Sequence, residues 1–217
     1  MITDERCSVF IESLSPGMTP FLEELEGKAQ ESGIPIIRPA SRSLLRYLLA
    51  ENEPESLLEI GTAVGFSAIF MASCSFADIH IDTIENYEKH IKAARANIKA
   101  AHMEDRIRLL EGDAEAVLAD LADRSAVYDM IFVDAAKAQY PDYLPLCKKL
   151  LRRGGVLVSD NVLFDGDIVQ SRYAVRRRDR TIHSRMRQYL RLISEDQGLV
   201  TTILPIADGM ALSVKKE

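Results

Sequence analysis

The chain has 217 residues, 47% of them apolar and 28% charged, with a net charge of −6. That composition excludes a disordered or fibrous chain, and the length suits one domain able to bury roughly 70% of its unfolded surface. No apolar run reaches the ~20 residues that span a bilayer, and the start Met-Ile-Thr-Asp-Glu-Arg is no secretory leader, so a cytoplasmic protein is expected.

The first fifty residues read as a helical extension ahead of an α/β core over 56–217. Thr19 can cap a helix with Pro20 in its first turn, and Gly33 sits where that helix stops. A second helix is expected over 41–50. Short apolar runs then follow at 56–60, 79–84, 107–110, 130–133 and 156–159. Helical stretches separate them at 66–74, 87–101, 114–122 and 143–151. Such alternation builds a parallel sheet covered on both faces. One more helix is expected over 173–195, then strands over 199–205 and 210–215 joined as an antiparallel hairpin. In an open α/β sheet ligands bind beyond the carboxyl ends of the strands, so functional residues should follow each apolar run.

The cysteines Cys7, Cys74 and Cys147 are odd in number, far apart and without a CxxC pair, and read as free thiols. With four scattered histidines, a bound metal should be a hard cation held by oxygen.

The first apolar run ends Glu59-Ile60-Gly61-Thr62-Ala63-Val64-Gly65-Phe66-Ser67. Glycines here let the main chain approach a ligand, and the helix start with the Ser67 hydroxyl suits an anion; a turn that needs glycine for shape alone reads the same way. The second run ends at Glu85, placed to hydrogen-bond a ribose diol. The third ends at Asp113, which can reach an adenine amino group or cap the next helix. The set suits an adenosine-containing ligand, and the absent third glycine argues against the dinucleotide fingerprint.

The fourth run ends Val133-Asp134-Ala135-Ala136-Lys137 and the fifth Ser159-Asp160-Asn161. With neighbouring strand tips, Asp134, Asp160 and Asn161 offer three hard oxygens and at most two charges, which suits Mg²⁺. The plainer alternative is that Asp160 caps a turn and Asn161 takes a left-handed turn conformation. A lysine three residues past Asp134 can act as a general base, or be an ordinary solvated lysine.

Residues 172–191 hold eight arginines against the single acid Asp179, a local charge of +7 that leaves −13 on the remainder. Arg176, Arg177, Arg178 and Arg180 follow the loop after Asn161, and Arg185, Arg187 and Arg191 continue along the expected helix. They can hold RNA phosphates, or form a solvated basic face paired with acids elsewhere.

The Glu-x-Gly-x-x-x-Gly turn resembles the first motif of class I S-adenosylmethionine methyltransferases. With Asp134–Lys137 and Asp160-Asn161 the chain resembles the catechol and caffeoyl-CoA O-methyltransferase family from about Pro35 to its end. Within it, Ile131 to Tyr140, Asp160-Asn161-Val162-Leu163-Phe164 and Pro205-Ile206-Ala207-Asp208-Gly209 look most like bacterial tRNA 5-hydroxyuridine methyltransferases. The resemblance implies a Rossmann-like fold and Mg²⁺ ligands at Asp134, Asp160 and Asn161. It implies S-adenosylmethionine contacts at Ile37, Gly61, Ser67, Glu85, Asp113, Ala114 and Asp134, with Lys137 as general base. It further implies a homodimer and a tRNA substrate whose 5-hydroxyuridine becomes 5-methoxyuridine. A small catechol-like phenol is the alternative, since both substrates present two adjacent oxygens to a cation. The chain lacks the tryptophans of animal catechol enzymes, and Ala138 stands where glycine is expected in the tRNA enzymes.

Overall fold

The computed structural model describes residues 5–76 and 78–216. Three helices lead: α1 (Glu5–Ser13), α2 (Pro20–Glu31) and α3 (Pro39–Asn52). Thr19 Oγ1 accepts from Leu22 N at 3.3 Å, so the expected cap forms. α3 begins two residues before the expected 41 because Pro39, with φ already helical and no N–H to satisfy, occupies its first turn. The residues at 1–4, on which the reading of the leader rests, lie outside the described residues. Cys74 and Cys147 are free thiols as expected; the side chain of Cys7 is likewise outside what is described.

The strands are β1 (Ser56–Ile60), β2 (His80–Glu85), β3 (Ile107–Glu111), β4 (Tyr128–Val133), β5 (Leu151–Ser159), β6 (Leu199–Leu204) and β7 (Met210–Lys215). Between them run α4 (Phe66–Cys74), α5 (Glu88–Ala100), α6 (Ala114–Asp123), α7 (Tyr140–Leu150) and α8 (Arg180–Glu195). Among the described residues they form a seven-stranded sheet in the order β3-β2-β1-β4-β5-β7-β6. β1 to β5 are parallel, and β7 and β6 are antiparallel additions. This is the expected α/β architecture of mostly parallel strands ending in a hairpin.

Period-two alternation divides the core. Leu57, Met130, Phe132, Val156 and Val158 face α2 to α5, whereas Leu58, Ile131, Val133 and Leu157 face α6 to α8. Both faces are buried, which is why the strands read as continuous apolar runs. The order reverses between β1 and β4, making a crevice at their carboxyl ends, and Val133 on β4 pairs with Ser159 on β5.

Two boundaries differ from expectation. α7 starts at Tyr140, not 143, because Pro141 fits its first turn. The helix expected over 173–195 starts only at Arg180. Val175 drops into the core, 4% exposed, and Arg180 donates to the carbonyls of Tyr173 and Val175, both at 3.4 Å. Those acceptors are thereby satisfied without a helix, and Arg176 to Arg178 ride on an exposed turn. No helix among the described residues is long and apolar enough to cross a membrane.

Candidate active site

A cleft of about 250 Å³ opens at the crevice between β1 and β4. Gly61, Glu85, Ala114 and Asp134, all expected at the cofactor, line it together with Ile84, His90 and Tyr143. Glu85 is held by main-chain donors: Oε2 accepts from Ala63 N at 2.9 Å, and Oε1 from Asn86 N at 2.9 Å and Tyr87 N at 3.0 Å. A carboxylate has about four acceptor positions, so a fixed Glu85 retains capacity for a ribose hydroxyl. Gly61, with φ +104, lets the β1 tip lie against the main chain of Asp134.

The other expected cofactor residues sit differently. Asp113 lies beside the cleft and caps α6, its Oδ1 accepting from Glu115 N at 3.1 Å and Ala116 N at 3.3 Å. Ser67 is buried in the first turn of α4, beside Glu59. Ile37 is part of the core packed against α2 to α4 and does not line the cleft.

Beside the cleft, Asp134 follows β4 and Asp160 follows β5. Asp160 is 1% exposed; its Oδ1 accepts from Asn161 N at 2.8 Å and from Ser41 Oγ of α3 at 3.3 Å. Asn161 takes the left-handed conformation, φ 58, and its Nδ2 donates to Asp208 Oδ1 at 2.7 Å. Sequence reading does not single out Asp208, although it is buried and acidic within the hairpin turn. A Cβ on Gly209 would fall 2.3 Å from Leu163 Cγ, so glycine allows this turn to close over the residues after Asn161. The turn is pinned there: Val162 N and Leu163 N donate to the carbonyls of Gly209 and Asp208, both at 2.9 Å.

Burial raises the pKa of Asp160 to about 7, reinforced by the charges of Asp134 and Asp208. Asp134 is raised for the same leading reason, burial, with Lys137 opposing. Lys137 is half-buried on the 3-10 turn Lys137–Gln139. Tyr140 braces the two strand tips, its hydroxyl shared between the carbonyls of Val133 at 3.2 Å and Asp160 at 3.1 Å.

Among the described residues no three His, Cys, Asp or Glu side chains make a ready-made metal cage. The donor set nevertheless fits a hard divalent cation. Asp134, Asp160 and Asn161 bring oxygen donors from adjacent strand tips, the carboxylates repel one another, and Mg²⁺ fills its remaining positions with water.

Glu59, buried on β1, receives a 2.5 Å hydrogen bond from Thr83 Oγ1, which itself meets Thr62 Oγ1 at 2.6 Å. Burial pushes Glu59 up to about 7, while the Ser67 and Thr83 hydroxyls favour ionisation and Asp134 and Glu85 oppose it. The folded protein therefore keeps this proton to near pH 7, whereas the unfolded chain loses it near pH 4.5. Stability from the neutral carboxyl is full below pH 4.5 and lost as pH rises through 7. Glu59→Gln is expected to stabilise the protein by roughly 3 kcal/mol at pH 8 and by little at pH 4. Urea unfolding at both pH values checks this, and equal midpoints at pH 8 would contradict it.

The arginine stretch is paired with acids only in part. Arg185 is engaged by the Asp142 carboxylate and by Ala138 O at 2.8 Å, which ties α8 to the turn bearing Lys137. Arg178 lies 3.6 Å from its neighbour Asp179, and Arg180 is folded back on the main chain and the Tyr173 ring. Arg176 and Arg177 are exposed and have no acidic partner among the described residues.

The O-methyltransferase family model matches residues 12–216. A Mycobacterium marinum protein provisionally assigned as an O-methyltransferase is 32% identical over 195 residues, covering 89% of this chain and 84% of that protein. A Staphylococcus aureus structure provisionally assigned as a caffeoyl-CoA O-methyltransferase superposes with a TM-score of 0.86 at 32% identity, covering 97% of this chain and 98% of that one. An O-methyltransferase from Bacillus cereus, solved in complex with SAH, gives 0.84 at 27% identity, covering 96% of each.

Proposed function

The chain belongs to the O-methyltransferase family, and on that premise we propose that it methylates the 5-hydroxyl of 5-hydroxyuridine in tRNA, using S-adenosylmethionine and Mg²⁺. The observation that carries the RNA reading is the exposed turn with Arg176 and Arg177, which arises from the same chain segment as Asp160 and Asn161 and returns through α8 onto the Lys137 turn. Exposed guanidinium groups without an acidic partner among the described residues suit phosphates.

When bound, S-adenosylmethionine supplies an electrophilic methyl group, and Mg²⁺ stabilises the oxyanion that accepts it. Glu85 and the Gly61 turn hold the adenosyl group in the cleft. Asp134, Asp160 and Asn161 hold the cation, and Asp208 orients Asn161 through its side-chain amide. Lys137 Nζ takes the proton from the substrate hydroxyl. Much of the acceleration then comes from alignment of the acceptor oxygen with the methyl group.

A catechol-like phenol is the second reading, favoured by the likeness to the Staphylococcus aureus structure. The experiment incubates the protein with S-adenosylmethionine, Mg²⁺ and tRNA from a strain lacking the gene, followed by nucleoside mass spectrometry. Formation of 5-methoxyuridine, abolished by EDTA, is expected. Methylation of a catechol with none of tRNA would replace the first reading by the second.

A further inference from the structure

A second concavity lies away from the cofactor cleft. An open groove of about 780 Å³ runs between the turn around Gln170 to Arg172 and one face of α8. Arg172, Arg187 and Arg191 line it, with Gln188 between the last two, against the single acid Glu195 at the end of α8. Arg187 and Arg191 are four apart and share a helix face, an arrangement that costs stability between like charges. Several arginines elsewhere meet an acid, Arg108 with Asp82 and Arg124 with Asp120 among them. Here no acid pairs with any of the three among the described residues; Arg187 has only a main-chain contact, to Ile168 O at 2.8 Å. The groove wall also contains a polar atom without a partner. His183 is 2% exposed, its Nε2 lies 3.2 Å from Gln170 O, and its Nδ1 has no hydrogen-bond partner. Tyr173, the next residue after the groove-lining Arg172, stands 83% exposed, with the Arg180 guanidinium 5.8 Å from its ring centroid.

Three guanidinium groups against one carboxylate, near an exposed aromatic ring, are the surface chemistry of a single-stranded nucleic acid site, in which cations follow the phosphates and the ring stacks on a base. We infer that this groove holds the phosphodiester backbone of the RNA, with Tyr173 stacked against an unpaired base. The inference deepens the tRNA reading and rests on it for the identity of the polymer. A free phosphate would use the arginines and leave the tyrosine without a role.

The test uses the full chain and a fluorescent pyrimidine-rich 12-nucleotide RNA without 5-hydroxyuridine, followed by anisotropy from 50 to 300 mM salt. Arg172 and Arg191 have no hydrogen-bond or ion-pair partner among the described residues, so Arg172→Ala/Arg191→Ala is not expected to disturb folding. The double variant should bind at least about tenfold more weakly, and its salt slope should fall by roughly 1.4, near 0.7 for each phosphate that is no longer neutralised. Tyr173→Ala should weaken binding about fivefold or more and leave the salt slope unchanged. Methylation of free 5-hydroxyuridine nucleoside should match the parent in both variants. An unchanged affinity and slope in the double variant would overturn the groove. So would displacement of the RNA by inorganic phosphate at equal phosphate concentration, which would mark a simple anion site. A parent protein that binds the oligonucleotide through these arginines yet methylates no tRNA would overturn the substrate reading and leave the groove standing.

Discussion

Asp160→Asn is expected to lower methyl transfer by about 10²- to 10³-fold while making the ligand-free protein more stable at pH 8. The activity falls because a charged oxygen donor at the cation is replaced by a neutral one. Stability moves the other way for a separate reason. Burial and the neighbouring carboxylates raise Asp160 from 3.8 to about 7, so between those values the folded state holds a proton that the unfolded state has released. Its stability is full below pH 3.8 and declines as pH rises through 7. Asparagine removes the charge and retains an acceptor for Ser41 Oγ and Asn161 N. A gain of about 2–4 kcal/mol follows at pH 8, or roughly 4–16 °C in Tm for a chain of this size. Added Mg²⁺ should stabilise the parent more than the variant. Thermal melts at pH 4 and 8, with and without Mg²⁺, and steady-state kinetics read all of this. A variant within twofold of parental activity would reduce Asp160 to a turn residue.

Gly61→Ala should be the most damaging small substitution, costing more than about 3 kcal/mol and removing cofactor binding. The added Cβ would lie 2.1 Å from the Asp134 carbonyl oxygen and 3.3 Å from Ala135 Cα, at φ +104. The obstacle is main chain, and it cannot retreat without losing the 3.0 Å bond from Asp134 N to Ile60 O that joins the two strand tips. The same mutation at Gly27, inside α2 with nothing within 4 Å of its new Cβ, should stabilise by about 0.5–1 kcal/mol. Urea midpoints of the two variants, moving in opposite directions, separate close packing from helix propensity. Parental stability in Gly61→Ala would show that the tip can open.

The positions of these residues are legible to different degrees. Asp134 and Asp160 stand out because each ends an apolar run, and run ends in a parallel sheet form one edge. Glu85 follows from the same rule. Asp113 is ambiguous at that level, since a helix cap and a ligand contact call for the same residue type, and in the structure the cap is made. The helix expected over 173–195 reaches too far toward the N-terminus because its residues have acceptable helix propensity; burial of Val175 decides the matter, and propensity cannot see burial.

The sequence alone determined the strand–helix alternation, the glycine turn after β1, the acids at the strand tips and the concentration of arginines. Apolar periodicity, capping and turn chemistry act within a few residues, so they are written in adjacent letters. Only the tertiary structure decided that β1 lies beside β4, that Ser41 reaches Asp160 across 119 residues, and that Asp208 reaches Asn161 across 47. It likewise decided which arginines meet an acid and which stand alone. Those outcomes depend on how the chain crosses the sheet, because hydrogen bonds and ion pairs act over a few ångströms of space whatever the separation along the chain.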